Sequence, residues 1–190
     1  MEELQRVTKE TNIFCKIELN GIGKSDIQTG IGFFDHMLEA LSKHSGIDLT
    51  LKCTGDLHVD YHHSVEDCGI VIGKLLKQEI FPIKNVERYG NATVVMDEAS
   101  ATCALDLSNR PFLVYEVDLV EKVGTFDVEL VEEFFHALVM NSGITCHIIQ
   151  DRGRNKHHII EACFKAFAVA LRRSLVKNER LGIPSTKGVL

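Results

Sequence analysis

The chain has 190 residues, of which 45% are hydrophobic and 25% charged, and its formal net charge is −6. That length and apolar content can bury a core, while the acidic balance argues against a nucleic-acid binder, whose phosphate-neutralising surface needs a cationic excess. No apolar run approaches the roughly 20 residues of a membrane span, and the opening MEELQRVTKETN is too acidic and polar for a secretory signal, so no membrane partner and a cytoplasmic location are expected.

In chain order, the first run to read as a strand is NIFCKIEL at 12–19, followed by Asn20-Gly21, a hairpin signal. Phe33, Phe34, Met37, Leu38 and Leu41 then recur at helical spacing. IDLTLKC at 47–53 alternates as a strand, and a helix opens at His62-His63 and runs through EDCGIVIGKLL. TCALDL at 102–107, a turn at Ser108-Asn109-Arg110-Pro111 and FLVYEVDL at 112–119 read as a second strand pair. A helical stripe of Val131, Phe134, Phe135, Leu138 and Val139 follows, then the strand ITCHIIQ at 144–150 and a helix opening at His157-His158. The tail Leu181–Leu190, with Pro184 and Gly188, reads as an ordered loop or extended arm.

The chain is written twice. HHSVE at 62–66 returns as HHIIE at 157–161, a shift of 157 − 62 = 95, and SGI at 45–47 returns at 142–144, a shift of 142 − 45 = 97. FF at 33–34 returns at 134–135, and CKIELNG from Cys15 is echoed by CALDLSN from Cys103. Four landmarks in the same order define a duplication. Each half reads β-β-α-β-α and cannot cover its own sheet, so the expectation is an α/β (α+β two-layer) fold: one domain, 1–190, built of pseudo-repeats at about 1–91 and 92–190. The six cysteines form no C-x-x-C pair and lie in apolar stretches, which fits small buried hydrophobes in a reducing compartment.

Positions i and i+4 share a helix face, so His62 aligns with Glu66 and His157 with Glu161, and His63 and His158 project about a quarter-turn round. Imidazole and carboxylate without thiolate suit a divalent first-row metal. The doubled pattern favours metal binding over a solvated helix end. Four donors per ion is a common minimum, and the further candidates are His36 and His147, with His44, His58 and His136 weaker. Paired ions fit a binuclear metal-dependent phosphate-ester hydrolase, and a metal-stapled shell without turnover is another reading.

TGIGFFDHM at 29–37, GDLHVDYHHSVED at 55–67, NKHHIIEACFKAF at 155–167 and IPSTKG at 183–188 resemble the imidazoleglycerol-phosphate dehydratase family. RVTKET at 6–11, ERYG at 87–90, MDE at 96–98 and LDLSNRP at 105–111 extend the resemblance over the whole chain. It implies duplicated halves of the ribosomal protein S5 domain 2-like group, trimers assembled into a homo-oligomer of 24 subunits, and metal sites between subunits. The implied reaction dehydrates imidazoleglycerol phosphate to imidazoleacetol phosphate in histidine biosynthesis, with the substrate held as imidazolate between two manganese ions.

Carried onto this chain, the implied metal ligands are His36, His62, His63, Glu66, His147, His157, His158 and Glu161, three imidazoles and one carboxylate for each ion. The implied general acid/base is Glu10, from R-x-T-x-E-T. The implied contacts to the substrate and its phosphate are Arg88, Arg110, Ser185 and Lys187, with His44 and Lys165 beside them. The chain departs from the family pattern at Ala40, where a glutamine usually helps hold the phosphate, at Asn109 for glycine and at Val95 for proline.

Overall fold

Alternation decides the first sheet. Ile13, Cys15 and Ile17 point to one side of a strand and are buried, while Leu49, Leu51 and Cys53 do the same on its neighbour. The computed structural model describes residues 1–189 and places these strands in the order β1-β2-β4-β3, with β1 Glu2–Val7, β2 Thr11–Glu18, β3 Ser25–Gln28 and β4 Asp48–Gly55. Helices α1 (Gly32–Ser45) and α2 (His62–Ile80) flank β4 in sequence. The second half repeats the plan in the order β5-β6-β10-β7, from β5 Tyr89–Met96, β6 Ala99–Asp106, β7 Phe112–Glu116 and β10 Thr145–Arg152. Its helices are α3 (Leu130–Ser142) and α4 (Lys156–Ser174), and a small ribbon, β8 Lys122–Val123 with β9 Phe126–Asp127, precedes α3.

Two strand pairings differ from expectation. Asn20-Gly21 does not close a hairpin: β2 pairs antiparallel with β1 and β4, while β3 runs parallel to β4. The cause is Asp48, whose Oδ1 accepts the N–H groups of Ile22 and Lys24 at 2.8 Å each and clips the loop to the start of β4. Gly21 must be glycine there, because a Cβ would lie 2.5 Å from the Asp48 carboxylate. The turn at 108–111 likewise leads to β7, which runs parallel to β10 rather than back along β6. The edge strands β1 and β5 are not legible as alternating runs because their apolar residues do not sort by face: in β1 Arg6 shares the half-buried side with Leu4 while Val7 is exposed, and in β5 the inner side holds the small Gly90 and Ala92 while Tyr89 and Val95 are exposed.

The repeated Ser-Gly-Ile is a helix stop. Gly46 and Gly143 take left-handed φ of 79° and 75° at the ends of α1 and α3, and the isoleucine after each is buried. Each half is a sheet with two helices on one face, and the halves meet through their helices, α1 against α4 and α2 against α3. At the second contact Gly69 and Gly73 let α2 approach the α3 backbone, where a Cβ would meet Phe134 O at 2.8 Å and Leu138 O at 2.4 Å. Phe134, Phe135, Phe164 and Phe167 fill the centre, with ring centroids 4.8–5.4 Å apart.

All six cysteines are free and buried, and burial pushes the Cys15 and Cys163 thiols up to about 12. The tail is an ordered loop, tied by Asn85 N–H to Gly182 O and by Arg88 Nη1 to Pro184 O, both at 2.7 Å. Leu190, in the expected tail, lies outside the described residues. Among the described residues no helix is long and apolar enough to cross a membrane.

Candidate metal centre and anion cleft

The histidine pairs sit where loops become helices. Asn155 caps α4 by accepting the N–H groups of His157 and His158 at 3.0 and 3.3 Å, and Asp60 accepts that of His62 at 2.8 Å at the start of α2. The Asn155 cap on α4 and the Asp60 contact ahead of α2 brace the backbone that carries the imidazoles.

Helix packing then joins the halves. His157 Nε2 stands 3.1 Å and His36 Nε2 3.5 Å from the same oxygen, Oε2 of Glu161. The donor atoms of these three residues lie within 4.8 Å of one another, and among the described residues no other three such donors gather so closely. Two imidazoles and a carboxylate at this separation fit one divalent cation. Glu161 is 6% exposed and its other oxygen accepts Lys165 Nζ at 2.7 Å. Burial alone would raise its carboxyl, but Lys165 and the nearby His36 outweigh burial and hold it below the ordinary range. The ring of Phe33 packs edge-on against His157 at 5.2 Å.

His62 and Glu66 form the expected i, i+4 pair at 3.7 Å, half exposed. His63 and His158 lie apart from the three-donor group, each between two carboxylates. His63 Nδ1 meets Asp56 Oδ2 at 3.0 Å while Nε2 faces Glu10 Oε1 at 3.8 Å. His158 Nδ1 meets Glu98 Oε2 at 2.8 Å while Nε2 faces Asp97 Oδ2 at 3.8 Å. Both imidazoles are raised above the ordinary histidine value, chiefly by the Nδ1 hydrogen bond to Asp56 or Glu98. Glu98 is correspondingly pulled down to about 2 by His158 and by the N–H groups of Asn155 and Arg154.

Glu10 sits in the β1–β2 turn. Thr8 Oγ1 accepts the N–H groups of Glu10 and Thr11, and Asp56 N–H donates to Glu10 O at 3.1 Å. Arg6 and Thr11, on the strands flanking that turn, both reach the buried Asp67 of α2. Asp56, Asp67 and Glu98 carry no role in the sequence reading. All three lie inside quoted motifs, but the partners of Asp67 and of Glu98 are 56 to 61 residues away in sequence, a separation that no local pattern reports.

His147 stands elsewhere. On β10 Cys146 and Ile148 face the helices and His147 faces away, exposed on the outer side of the sheet. His136 is exposed on α3 and His58 on the loop before α2. His44 is lowered by burial, with Lys165 and Arg172 adding to the effect.

The residues expected to meet phosphate divide. Arg88, Arg110, Ser185 and Lys187 line one open cleft of about 910 Å³, together with Ser108 and Thr186. Within it Arg110 is 68% exposed, whereas the Arg88 guanidinium is engaged bidentately by Asp106 at 2.6 and 3.0 Å, which raises its pKa, and binds the tail carbonyl of Pro184. Lys165 instead flanks Glu161, with His44 near it. Asn109 adopts φ 53°, the left-handed turn its side chain tolerates. Ala40 is buried on α1, and Val95 is exposed on β5.

Comparison with known proteins agrees over the whole chain. A family model described as imidazoleglycerol-phosphate dehydratase matches residues 29–171. Proteins named imidazoleglycerol-phosphate dehydratase from Aliarcobacter butzleri and Campylobacter fetus are 76% and 63% identical over 190 residues, covering all of both chains in each case. A crystal structure of the dehydratase from Staphylococcus aureus superposes with TM-score 0.82 at 45% identity, covering 93% of this chain and 98% of that one. One from Pyrococcus furiosus gives 0.85 at 38% identity, covering 98% and 100%.

Proposed function

The chain belongs to the imidazoleglycerol-phosphate dehydratase family, enzymes of histidine biosynthesis, and from that premise we propose that its dehydration proceeds at a paired manganese site completed between copies of the chain. The observation that carries the proposal is the convergence of His36 and His157 on Glu161, a ready-made three-donor set on two helices from opposite halves. His62, His63, Glu66, His158 and the outward-facing His147 supply the remaining imidazoles and carboxylate. In one chain they do not gather into a second such group among the described residues, and an assembly of many copies, 24 in the family's pattern, would unite them.

Divalent cations at these donors would draw electron density from the ring nitrogens of an imidazole-bearing substrate, acting as Lewis acids. The protein does the rest. Loss of water requires that a carbon-bound proton pass to a base and that the neighbouring hydroxyl leave with a proton. The half-exposed Glu10 carboxylate, 3.8 Å from His63 Nε2 and set in a braced turn, is placed to move that proton. Lys187 and Ser185, with the exposed fork of Arg110, would grip the phosphate in the open cleft. Buried free thiols suit a reducing cytoplasm.

The test is metal content per chain measured beside native mass and release of imidazoleacetol phosphate. Two equivalents of manganese in a large particle with that product are expected. A reloaded protein holding well under two equivalents, or one releasing only inorganic phosphate, overturns the reading.

A further inference from the structure

His63 and His158 are equivalent in the repeat, yet the carboxylates on their Nδ1 atoms are not. Asp56 belongs to the loop between β4 and α2, seven residues before its histidine, whereas Glu98 belongs to the turn between β5 and β6, sixty residues before its own. Glu98 immediately precedes β6 as Glu10 immediately precedes β2, so the positional counterpart of Glu98 is Glu10 and not Asp56. Duplication of a half-chain would copy a contact to the same place. Here the same contact is made from two different places, which points to a requirement of the imidazole itself.

A carboxylate on Nδ1 takes that nitrogen as its hydrogen-bond donor, fixes the ring plane, and leaves the lone pair on Nε2. Each carboxylate is itself anchored. Glu98 Oε1 accepts the N–H groups of Arg154 and Asn155 at 3.1 and 2.7 Å, and Asn155 is the residue that caps α4. The N–H of Asp56 donates to the carbonyl of Glu10, so the same residue that orients the His63 ring also fixes the turn facing it.

We propose that Asp56 and Glu98 are positioning residues that hold His63 and His158 with Nδ1 bound to the protein and Nε2 presented to a divalent cation. The inference rests on the reading of both histidines as metal ligands. It assigns no contact between either carboxylate and substrate.

The test uses full-length protein stripped with a chelator and titrated with Mn²⁺ by equilibrium dialysis, alongside thermal unfolding of the metal-free form. Asp56→Ala and Glu98→Ala should weaken Mn²⁺ binding about 10- to 100-fold, the usual cost of losing such a partner, while capacity at saturating metal is retained. Asp56→Asn and Glu98→Gln keep a neutral acceptor and should recover part of the affinity. If the alanine variants do not fold, the amide variants decide by the same readout. Wild-type affinity in all the variants that fold overturns the inference, as does a loss that tracks the metal-free melting temperature with amides no better than alanines. His63→Ala and His158→Ala test the underlying reading separately: unchanged Mn²⁺ capacity in both would mean that these imidazoles bind no metal.

Discussion

One carboxylate oxygen of Asp67 accepts both Nε and Nη2 of Arg6, at 3.1 and 2.9 Å, and so ties the strand leading into the Glu10 turn to the helix that carries His63. The other oxygen accepts Thr11 Oγ1 at 2.5 Å, on the far side of the same turn. Asp67→Ala leaves Arg6 and Thr11 without that acceptor. A loss of about 2–3 kcal/mol in urea unfolding is expected, because partly buried donors lose their partner and cannot be fully resolvated. Turnover should fall further than stability alone explains, since the turn that positions Glu10 is freed.

Glu10→Gln keeps the size of the side chain and the backbone bonds of the turn, which run through Thr8 and Asp56. Native mass and manganese content should match the wild type, while kcat falls by about 10²- to 10⁴-fold, the usual worth of a general base. Wild-type turnover would remove Glu10 from the mechanism.

Glu161→Gln addresses the carboxylate that His36 and His157 share. The amide is a weaker metal donor and no longer balances Lys165, so metal content should drop, with the thermal stabilisation by added Mn²⁺ reduced. For the wild type, metal at 100 times its Kd should add about 2.7 kcal/mol over the chelated protein. Chelation without any shift in melting temperature would argue against a metal coupled to the folded state.

Much of this site was legible in the sequence because its parts are local. The pairs His62/Glu66 and His157/Glu161 follow from helical periodicity, and the duplication that doubles them is visible as repeated words. What joins the halves was not legible. That His36 meets Glu161 depends on α1 packing against α4, and that Glu98 reaches His158 depends on a turn sixty residues upstream. Asn20-Gly21 misled for a related reason: the dipeptide permits a tight turn, but a side chain on β4, Asp48, decides which strand the loop serves.

Asp48 also gives the acid limb of the stability curve a named contributor. The N–H groups of Lys24 and Ile22 hold its carboxyl below the ordinary value of 3.8. A depressed folded-state value stabilises the protein above the unfolded pKa, and that contribution is lost as pH falls through the folded value. Asp48→Asn should therefore be less stable than the wild type near neutrality and lose less on acidification below pH 3.8, measured as urea midpoints across pH. Parallel curves for the two proteins would contradict the assignment.

Gly73→Ala tests the seam between the halves. The added methyl would meet the Leu138 carbonyl at 2.4 Å and must push α2 away from α3. Overpacking of this kind costs about 1–3 kcal/mol, although alanine is the better helix former. A variant as stable as wild type would show that the two helices can slide apart at little cost.

His147, turned outward from β10, has a consequence for how activity should depend on the population of chains. If a neighbour's helices use that imidazole, a chain lacking His147 and a chain lacking His36 are each defective alone but not in the same respect. Co-assembled, they should rescue one another in part, and dilution below the threshold for association should silence even unmutated protein. Catalysis would then belong to contacts between molecules, not to any one of them.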